Sequence, residues 1–564
     1  ISCSLVGSEM CIRDRIRKMK DMVPQFFLSM KHYTKEQFVK DFISGIIVAI
    51  IALPLSIALA LASGVTPEQG LYTAIVAGFV ISLLGGSKVQ IAGPTAAFAS
   101  IVAGIVIKNG MDGLALATIM AGIILVLMGL LRLGSLIRFI PYTITTGFTT
   151  GIAVTIFIGQ IKDFLGLTFK ESPIETMEKL EQIILCFNTL NPMTLVIGLV
   201  ALLILIIWPK FFKKVPPSLI AVIVTAVAVK LFDLPVNTIG DLYTISPSLP
   251  AFHLPDFSFA MVQRVLPDAV TIAVLAAVES LLSCVVADGM VGSRHNSNME
   301  LVAQGVGNTC SAMFGGIPAT GAIARTAANI KNGGRTPVSG MVHAALLLLI
   351  LIFLMPYAAL IPMPAIAAIL FMVAYNMSEW REFVSIVKTA PKSDWSVLLI
   401  TFGLTVAFDL VVAIGVGLVF ASLLFMKRMA DVADVSGWKY LEDQKEEHDK
   451  EPIDLKPVPK HVSVFEVNGP MFFGAADKIS KVVLEEGKRV LILRMRSVPA
   501  MDATALKSLQ KLHQSLKKKN VILVLSHVNE QPMSIMEKAG FADMVGRENI
   551  AGSIDEALLR AAGL

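Results

Sequence analysis

Long apolar runs separated by short polar turns fill the chain up to about residue 430, and they fall into two halves with one irregularity each. In the first half, runs at 43–62, 68–84, 114–132, 143–165, 192–208 and 216–232 approach the roughly 20 residues that cross a bilayer as helix, whereas the run at 95–107 is short. The second half repeats the arrangement with 267–287, 300–314, 338–355, 358–374, 394–409 and 411–427, and its third run, 319–330, is again short. Both short runs stand behind a polar stretch broken by Gly and Pro: VQIAGPTAAF at 89–98 and GGIPATGAIART at 315–326. Each break also follows an earlier run at similar spacing, since Pro54 precedes Pro94 by about 40 residues and Glu279 precedes Pro318 by about 39. The pattern predicts a polytopic α-helical membrane protein of fourteen spans, seven and seven, with two broken half-helices. An even span count returns the C-terminus to the side of the N-terminus.

After Met429 the pattern changes. Residues 430–460 are polar and charged and read as a linker, and 461–564 read as a soluble domain. There, β-rich runs at 462–467, 489–495 and 520–526 alternate with amphipathic stretches at 475–486, 502–518 and 531–539, which predicts a βαβ domain. The transmembrane domain is expected over 43–429, behind a basic segment at 16–42. The first fifteen residues, ISCSLVGSEMCIRDR, have neither the apolar core nor the cleavage site of a signal peptide and read as translated sequence foreign to the protein.

Composition narrows the class. Of 564 residues 55% are hydrophobic and 16% charged, with a mean hydropathy of +0.71, too apolar for a water-soluble chain. Arg17, Lys18, Lys20, Lys31, Lys35 and Lys40 precede the first run, and Lys427 and Arg428 follow the last, so both termini are expected in the cytoplasm of a multi-pass cell-membrane protein. The net charge of +5 is spread over segment ends and gives no nucleic-acid-binding face. Cys3, Cys11, Cys186, Cys284 and Cys310 form no CxxC pair and the eight histidines no HExxH motif, so no disulfide framework, metal site or cofactor is indicated. No nucleophile–base or phosphate-loop constellation points to an enzyme.

The breaks are where chemistry is expected. Irregular backbone at membrane depth persists only where protein buries it or where it lines a cavity. Pro318 and the small residues Ala319, Thr320, Gly321 and Ala322 suit a helix start whose bare N–H groups, at the positive end of the helix dipole, favour an anion. Arg325 adds a full charge. A structural kink whose arginine snorkels to the headgroups is the alternative for one break alone; two breaks at matching positions point instead to a transporter site between inverted repeats. Glu279, mid-span in AVLAAVESLLSCVV, is expected to take up a proton or to contact Arg325 as the anion binds, against the alternative of a bond that locks two spans. Asp288, Arg294, His295 and Asn296 read as solvated or structural loop residues, and Asp409 as a helix cap.

The stretches LASGVTPEQGLYTAIVAGF (61–79), VVADGMVGSRHNSNMELVAQGVGN (285–308) and FGGIPATGAIARTAANIKNGGRTPVSGMVHA (314–344) resemble the SulP family of anion transporters, and the C-terminal domain resembles a STAS domain. The resemblance implies a 7+7 inverted repeat in which spans 1–4 and 8–11 form a core and spans 5–7 and 12–14 a gate, in a homodimer within a bacterial inner membrane. It places the anion between half-helices 3 and 10, with amides around Thr95, Ala96, Ala97 and Phe98 facing those around Ala319, Thr320, Gly321 and Ala322. Pro54 and Ser56 would close the side, and Arg325 matches a basic position of the family. Leu55 stands where many sulfate transporters have Gln. Glu279 and Ser283 occupy the positions of the cation-coupling residues of sodium-dependent members, but Ile323 replaces a further hydroxyl, which favours a proton over sodium. In the STAS-like domain Ala503 replaces a phosphorylatable Ser, Asp502 reads as a helix cap, and a cytoplasmic protein partner is implied. The expected function is secondary active transport of bicarbonate, sulfate or a C4-dicarboxylate. The alternatives are a nucleobase permease of the same architecture, or a membrane anchor for STAS-domain signalling.

Overall fold

The structure, a computed structural model, describes residues 22–31, 33–135, 141–170, 173, 175–212, 215–243, 248–255, 257–408, 410–437, 458–472 and 487–564. The stretch 1–15, Asp409, most of the expected linker and the amphipathic stretch 475–486 lie outside the described residues. The chain divides into two units, Ile1–Leu418 and Val419–Leu564.

Each predicted apolar run falls on a helix. These are α1 (Lys35–Ala62), α2 (Pro67–Leu84), α3 (Ala99–Leu130), α4 (Tyr142–Leu165), α5 (Pro192–Phe211), α6 (Pro217–Leu231), α7 (Phe259–Val291), α8 (Ser297–Met313), α9 (Ile323–Lys331), α10 (Val338–Ala358), α11 (Met363–Met377), α12 (Lys392–Ala407) and α13 (Leu410–Val432). Among the described residues, eight helices are both long and apolar enough to cross a membrane. The runs 95–107 and 114–132 fall on two helices that meet within α3 at Gly110, whose φ 70° and ψ −173° are not helical. Only glycine adopts that backbone readily, so the chain leaves the first helix and enters the second at this residue.

Local sequence sets the helix ends. Pro67 occupies the first turn of α2, and Thr66 and Gln69 cap it reciprocally. Ser258 caps α7, which ends at Gly292 in the left-handed region (φ 72°). Asn296 accepts from the amides of Asn298 and Met299, both at 3.1 Å, to start α8. Small residues then let helices meet: a Cβ on Gly305 of α8 would lie 2.8 Å from Val126 N of α3, and one on Gly122 would lie 2.6 Å from Gly305 O. Such close backbone approach replaces the hydrophobic drive that lipid removes.

A buried carboxylate not anticipated from the sequence fastens α1. Asp41 accepts from Arg335 N (2.8 Å) and Thr336 Oγ1 (2.6 Å) in the turn after α9, and from Tyr33 OH (3.1 Å). Burial and then the charge of Asp41 push the Tyr33 phenol up to about 12.

The C-terminal unit is a five-stranded sheet of order β3–β4–β5–β6–β7: Asp434–Gly437, Val462–Asn468, Val490–Ser497, Ile522–Ser526 and Ile550–Ala551. β3 runs antiparallel to β4, and the other pairs are parallel. Alternation along β5 sends Leu491, Leu493 and Met495 to the face covered by α14 (Ala503–Lys518) and α15 (Glu530–Lys538). Val490 and Ile492 go to the face covered by α16 (Ile554–Ala562). The expected linker 430–460 is shorter than predicted at its start. α13 runs on to Val432, and Val435 of β3 packs on the domain core, which the polar spelling of this segment hides.

Candidate functional site

The two breaks meet. Residues 92–93 (β1) and 320–321 (β2) pair antiparallel, Ala92 opposite Gly321 and Gly93 opposite Thr320. Side chains from neighbouring helices satisfy the backbone around this crossing. Asn308 of α8 accepts from Ala319 N (2.7 Å) and donates to Ala319 O (2.9 Å). Thr73 of α2 accepts from Ile317 N (2.7 Å), Thr326 of α9 from Ile91 N (3.0 Å), and Asn329 donates to Val89 O (2.8 Å). Unmet polar backbone in an apolar interior is destabilising, so these residues are what allow irregular chain at this depth. The sequence reading missed them, although Gln304, Asn308 and Ser311 share one face of α8 at intervals of four and three residues and are all buried.

The amides expected to be bare at 319–322 are largely engaged. Ala319 N is on Asn308, Gly321 N donates to Ser280 Oγ (3.1 Å), and Ala322 N to Ile91 O (2.9 Å). The physical reason is that residues 318–322 are not yet helix; α9 starts at Ile323, behind Ala322 as N-cap. Its open first turn is Ile323–Arg325, where no N–H has a partner among the described residues, and Ile323 is 47% exposed. On the other break Thr95 is the N-cap of a short 3₁₀ turn, Ala96–Phe98, that leads into α3. Phe98 N donates back to Thr95 O (3.3 Å), while Ala96 N and Ala97 N have no partner among the described residues.

Glu279 of α7 reaches this crossing. Thr95 Oγ1 donates to Glu279 Oε2 at 3.0 Å. Thr320 Oγ1 lies 2.9 Å from the same oxygen and 3.1 Å from Thr95 Oγ1, with one proton to give to either. One carboxylate oxygen therefore gathers hydroxyls from both breaks. Ser280, next in sequence, holds Gly321 N, whereas Ser283 is buried with its hydroxyl unpartnered.

Arg325 does not contact Glu279, and it does not snorkel. It is 1% exposed, and its Nη2 donates to Pro94 O (3.0 Å) and Ser56 Oγ (3.4 Å). Its Nε and Nη1 have no partner, and no carboxylate pairs with it among the described residues. A Cβ on Gly93 would collide with Nη1, so a larger residue there would displace the guanidinium from where the first break passes it. The structure thus brings Ser56, Thr95, Glu279, Thr320 and Arg325 to one crossing; Pro54 is buried within α1, two residues before Ser56.

Asp288, expected in the loop, lies in the last turn of α7 and accepts from His295 at both Nδ1 (2.7 Å) and the backbone N (2.8 Å), a local tie at the end of that helix. No group of metal-binding side chains occurs among the described residues. In the C-terminal unit Asp502 Oδ1 caps α14 by accepting from Ala505 N (2.8 Å).

Comparison with known proteins adds four findings. Residues 38–401 match the model of the sulfate permease family and residues 455–557 that of the STAS domain. The chain is 40% identical to YvdB of Bacillus subtilis (strain 168), whose name assigns it provisionally to sulfate transport, over 93% of this chain and 98% of that one. It is 32% identical to the bicarbonate transporter BicA of Picosynechococcus sp., over 92% of this chain and 94% of that one. In fold it matches the murine Slc26a9 anion transporter in the inward-facing state, with a TM-score of 0.86 and 17% identity over 97% of this chain and 95% of that one.

Proposed function

Because the chain belongs to the sulfate permease family, we propose that it is a secondary active transporter carrying a small oxyanion, bicarbonate, sulfate or a C4-dicarboxylate, across the cell membrane. The observation that carries this reading is Arg325: a buried guanidinium with no carboxylate partner among the described residues, beside two helix starts with open amides. An uncompensated charge at that depth is strongly destabilising, and an anion is the partner that relieves it. The anion is held between the starts of α3 and α9, near Ala96, Ala97, Ile323, Ala324 and Arg325, with Thr95, Phe98 and the backbone of 319–322 framing it and Pro54 and Ser56 behind. Leu55 beside Ser56 favours bicarbonate or a dicarboxylate over sulfate. Counting α3 as two spans either side of Gly110 gives fourteen, in a 7+7 inverted repeat with both termini cytoplasmic, working as a homodimer.

Glu279 couples transport to a cation. Its Oε2 collects Thr95 and Thr320 across the crossing, so a proton arriving there alters the bonds between the two half-helices. Ser283 lies one turn away with a free hydroxyl, but Ile323 offers no oxygen, which favours a proton over sodium. The test is uptake of labelled bicarbonate, sulfate and malate by purified protein in liposomes, under an inward proton gradient and then an inward sodium gradient. Proton-driven uptake of one anion, lost in Glu279→Gln, is expected. Sodium-driven uptake would overturn the choice of cation, and no uptake of any anion by folded protein would overturn the transport reading.

A further inference from the structure

A cavity of about 1050 Å³ lies between α1 on one side and α4, α5, α6 and α11 on the other. Ile51 and Leu55 of α1, Ile206 of α5 and Phe371 of α11 are among its walls, and among the described residues no charged one lines it. None of Thr95, Glu279, Thr320 or Arg325 belongs to it. The walls are not sealed: Leu199 is 45% exposed, Ile206 45%, Phe212 54% and Tyr375 55%, on helices whose outer faces are apolar. The cavity therefore opens sideways onto the surface that contacts hydrocarbon.

Its polar groups are confined to one end. Ser218 opens α6, Asn332 follows α9, and Asn376 is the penultimate residue of α11. Two exposed lysines flank that end, Lys210 next to the lining residue Pro209 and Lys331 next to Asn332. An apolar crevice with a polar, basic mouth does not suit a hydrated inorganic anion, which would lose its water along walls that return no hydrogen bonds. It suits an amphiphile, whose acyl methylenes gain by leaving water along the apolar walls and whose anionic headgroup is attracted by the basic residues at the mouth.

We propose that this crevice is a binding site for an anionic phospholipid, with an acyl chain between α1 and α4–α6 and the headgroup at Lys210, Lys331 and Asn332. A chain seated there stands between α1, which carries Ser56 and its bond to Arg325, and the helices opposite, so occupancy also tunes uptake. That last consequence rests on the transport reading; lipid binding itself does not.

The test uses the full-length protein in detergent micelles with phosphatidylglycerol or phosphatidylcholine bearing a photoreactive acyl chain, followed by peptide mapping. Saturable labelling of peptides from 199–218 and 369–376 by phosphatidylglycerol is expected, with loss of that labelling in Ile51→Trp and in Ile206→Trp, which fill the crevice. Ile123→Trp, on an exposed face of α3 (52%), serves as the control and retains it. Two Trp variants guard against one failing to fold, as judged by gel filtration. Labelling spread evenly over all lipid-facing helices, or unchanged in both filled variants, would overturn the proposal. So would displacement by bicarbonate, sulfate or malate, which would make the crevice part of the anion's path. Equal labelling by phosphatidylcholine would overturn the assignment of an anionic headgroup. Lipid labelling without any anion uptake would leave the lipid site standing and count only against the transport reading.

Discussion

Asn308→Leu is the perturbation that most directly tests how the second break is held. Asn308 and Ala319 are both fully buried. The amide side chain meets both polar groups of Ala319, its N–H at 2.7 Å and its C=O at 2.9 Å. Leucine keeps the branched outline, although it is larger, and returns neither bond. A buried group left without a partner is destabilising by about 1–3 kcal/mol, so the two together give about 2–6 kcal/mol, a large fraction of what holds a domain folded. Thr320, the next residue, brings its hydroxyl to Glu279, so the loss is also expected to loosen that contact and lower uptake. Thermal unfolding of the purified protein, followed by retention of the monodisperse gel-filtration peak, should fall by several degrees, with uptake reduced in parallel. A variant that melts with the wild type and transports equally would refute the reasoning, because it would mean that Ala319 finds other partners and that the break does not depend on α8.

Other expectations follow from the same geometry. Arg325→Met is expected to abolish anion uptake while leaving the melting temperature equal or higher, because it removes a buried charge that no carboxylate among the described residues compensates; retained uptake would exclude Arg325 from the anion site. Asp41→Leu strands the Arg335 N–H and the Thr336 hydroxyl, and a loss of about 2–4 kcal/mol is expected, read as an earlier thermal transition. In the C-terminal unit, burial and then the charge of Lys517 hold the His513 imidazole below its ordinary range. The unfolded chain therefore binds the proton first. Stability is complete above about pH 6.5 and declines as the pH falls from there toward the folded-state value. Hydrogen exchange of α14 in the full chain should quicken over that range in the wild type and less so in His513→Phe; equal acid sensitivity would assign the effect to other groups.

What the sequence discloses and what it hides divide along physical lines. The breaks are legible because Pro94, Pro318 and the surrounding glycines interrupt runs too apolar to end otherwise, and Glu279 stands out as a carboxylate among aliphatic neighbours. The crossing of β1 and β2 is not legible: two-residue strands have no alternation to read, and their partners lie far apart in the chain. The open amides sit at Ile323–Arg325 rather than at 319–322 because extended residues follow Pro318, and proline tolerates that conformation as readily as a helix start. The hydrogen-bonding face of α8 was present in the spacing of Gln304, Asn308 and Ser311, but polar residues within a span are as easily read as solvent-facing. The strands of the C-terminal unit are visible in their β-branched runs, whereas β3, spelled DVSG, carries one apolar residue and reads as linker.

The pairing of the two breaks also bears on how the protein is made. Ile91 N is satisfied by Thr326 Oγ1, a partner 235 residues downstream. At about 5–20 residues per second of synthesis, roughly 10–50 seconds pass between the two entering the membrane. Throughout that interval the first half has its helices but not the backbone partners of its own break. Whatever shelters residues 91–93 meanwhile, the insertion machinery or bound water, must release them when the second half arrives. A ribosome-stalled chain ending before residue 320 would therefore keep the first seven runs inserted while their centre remained open to proteolysis and hydrogen exchange.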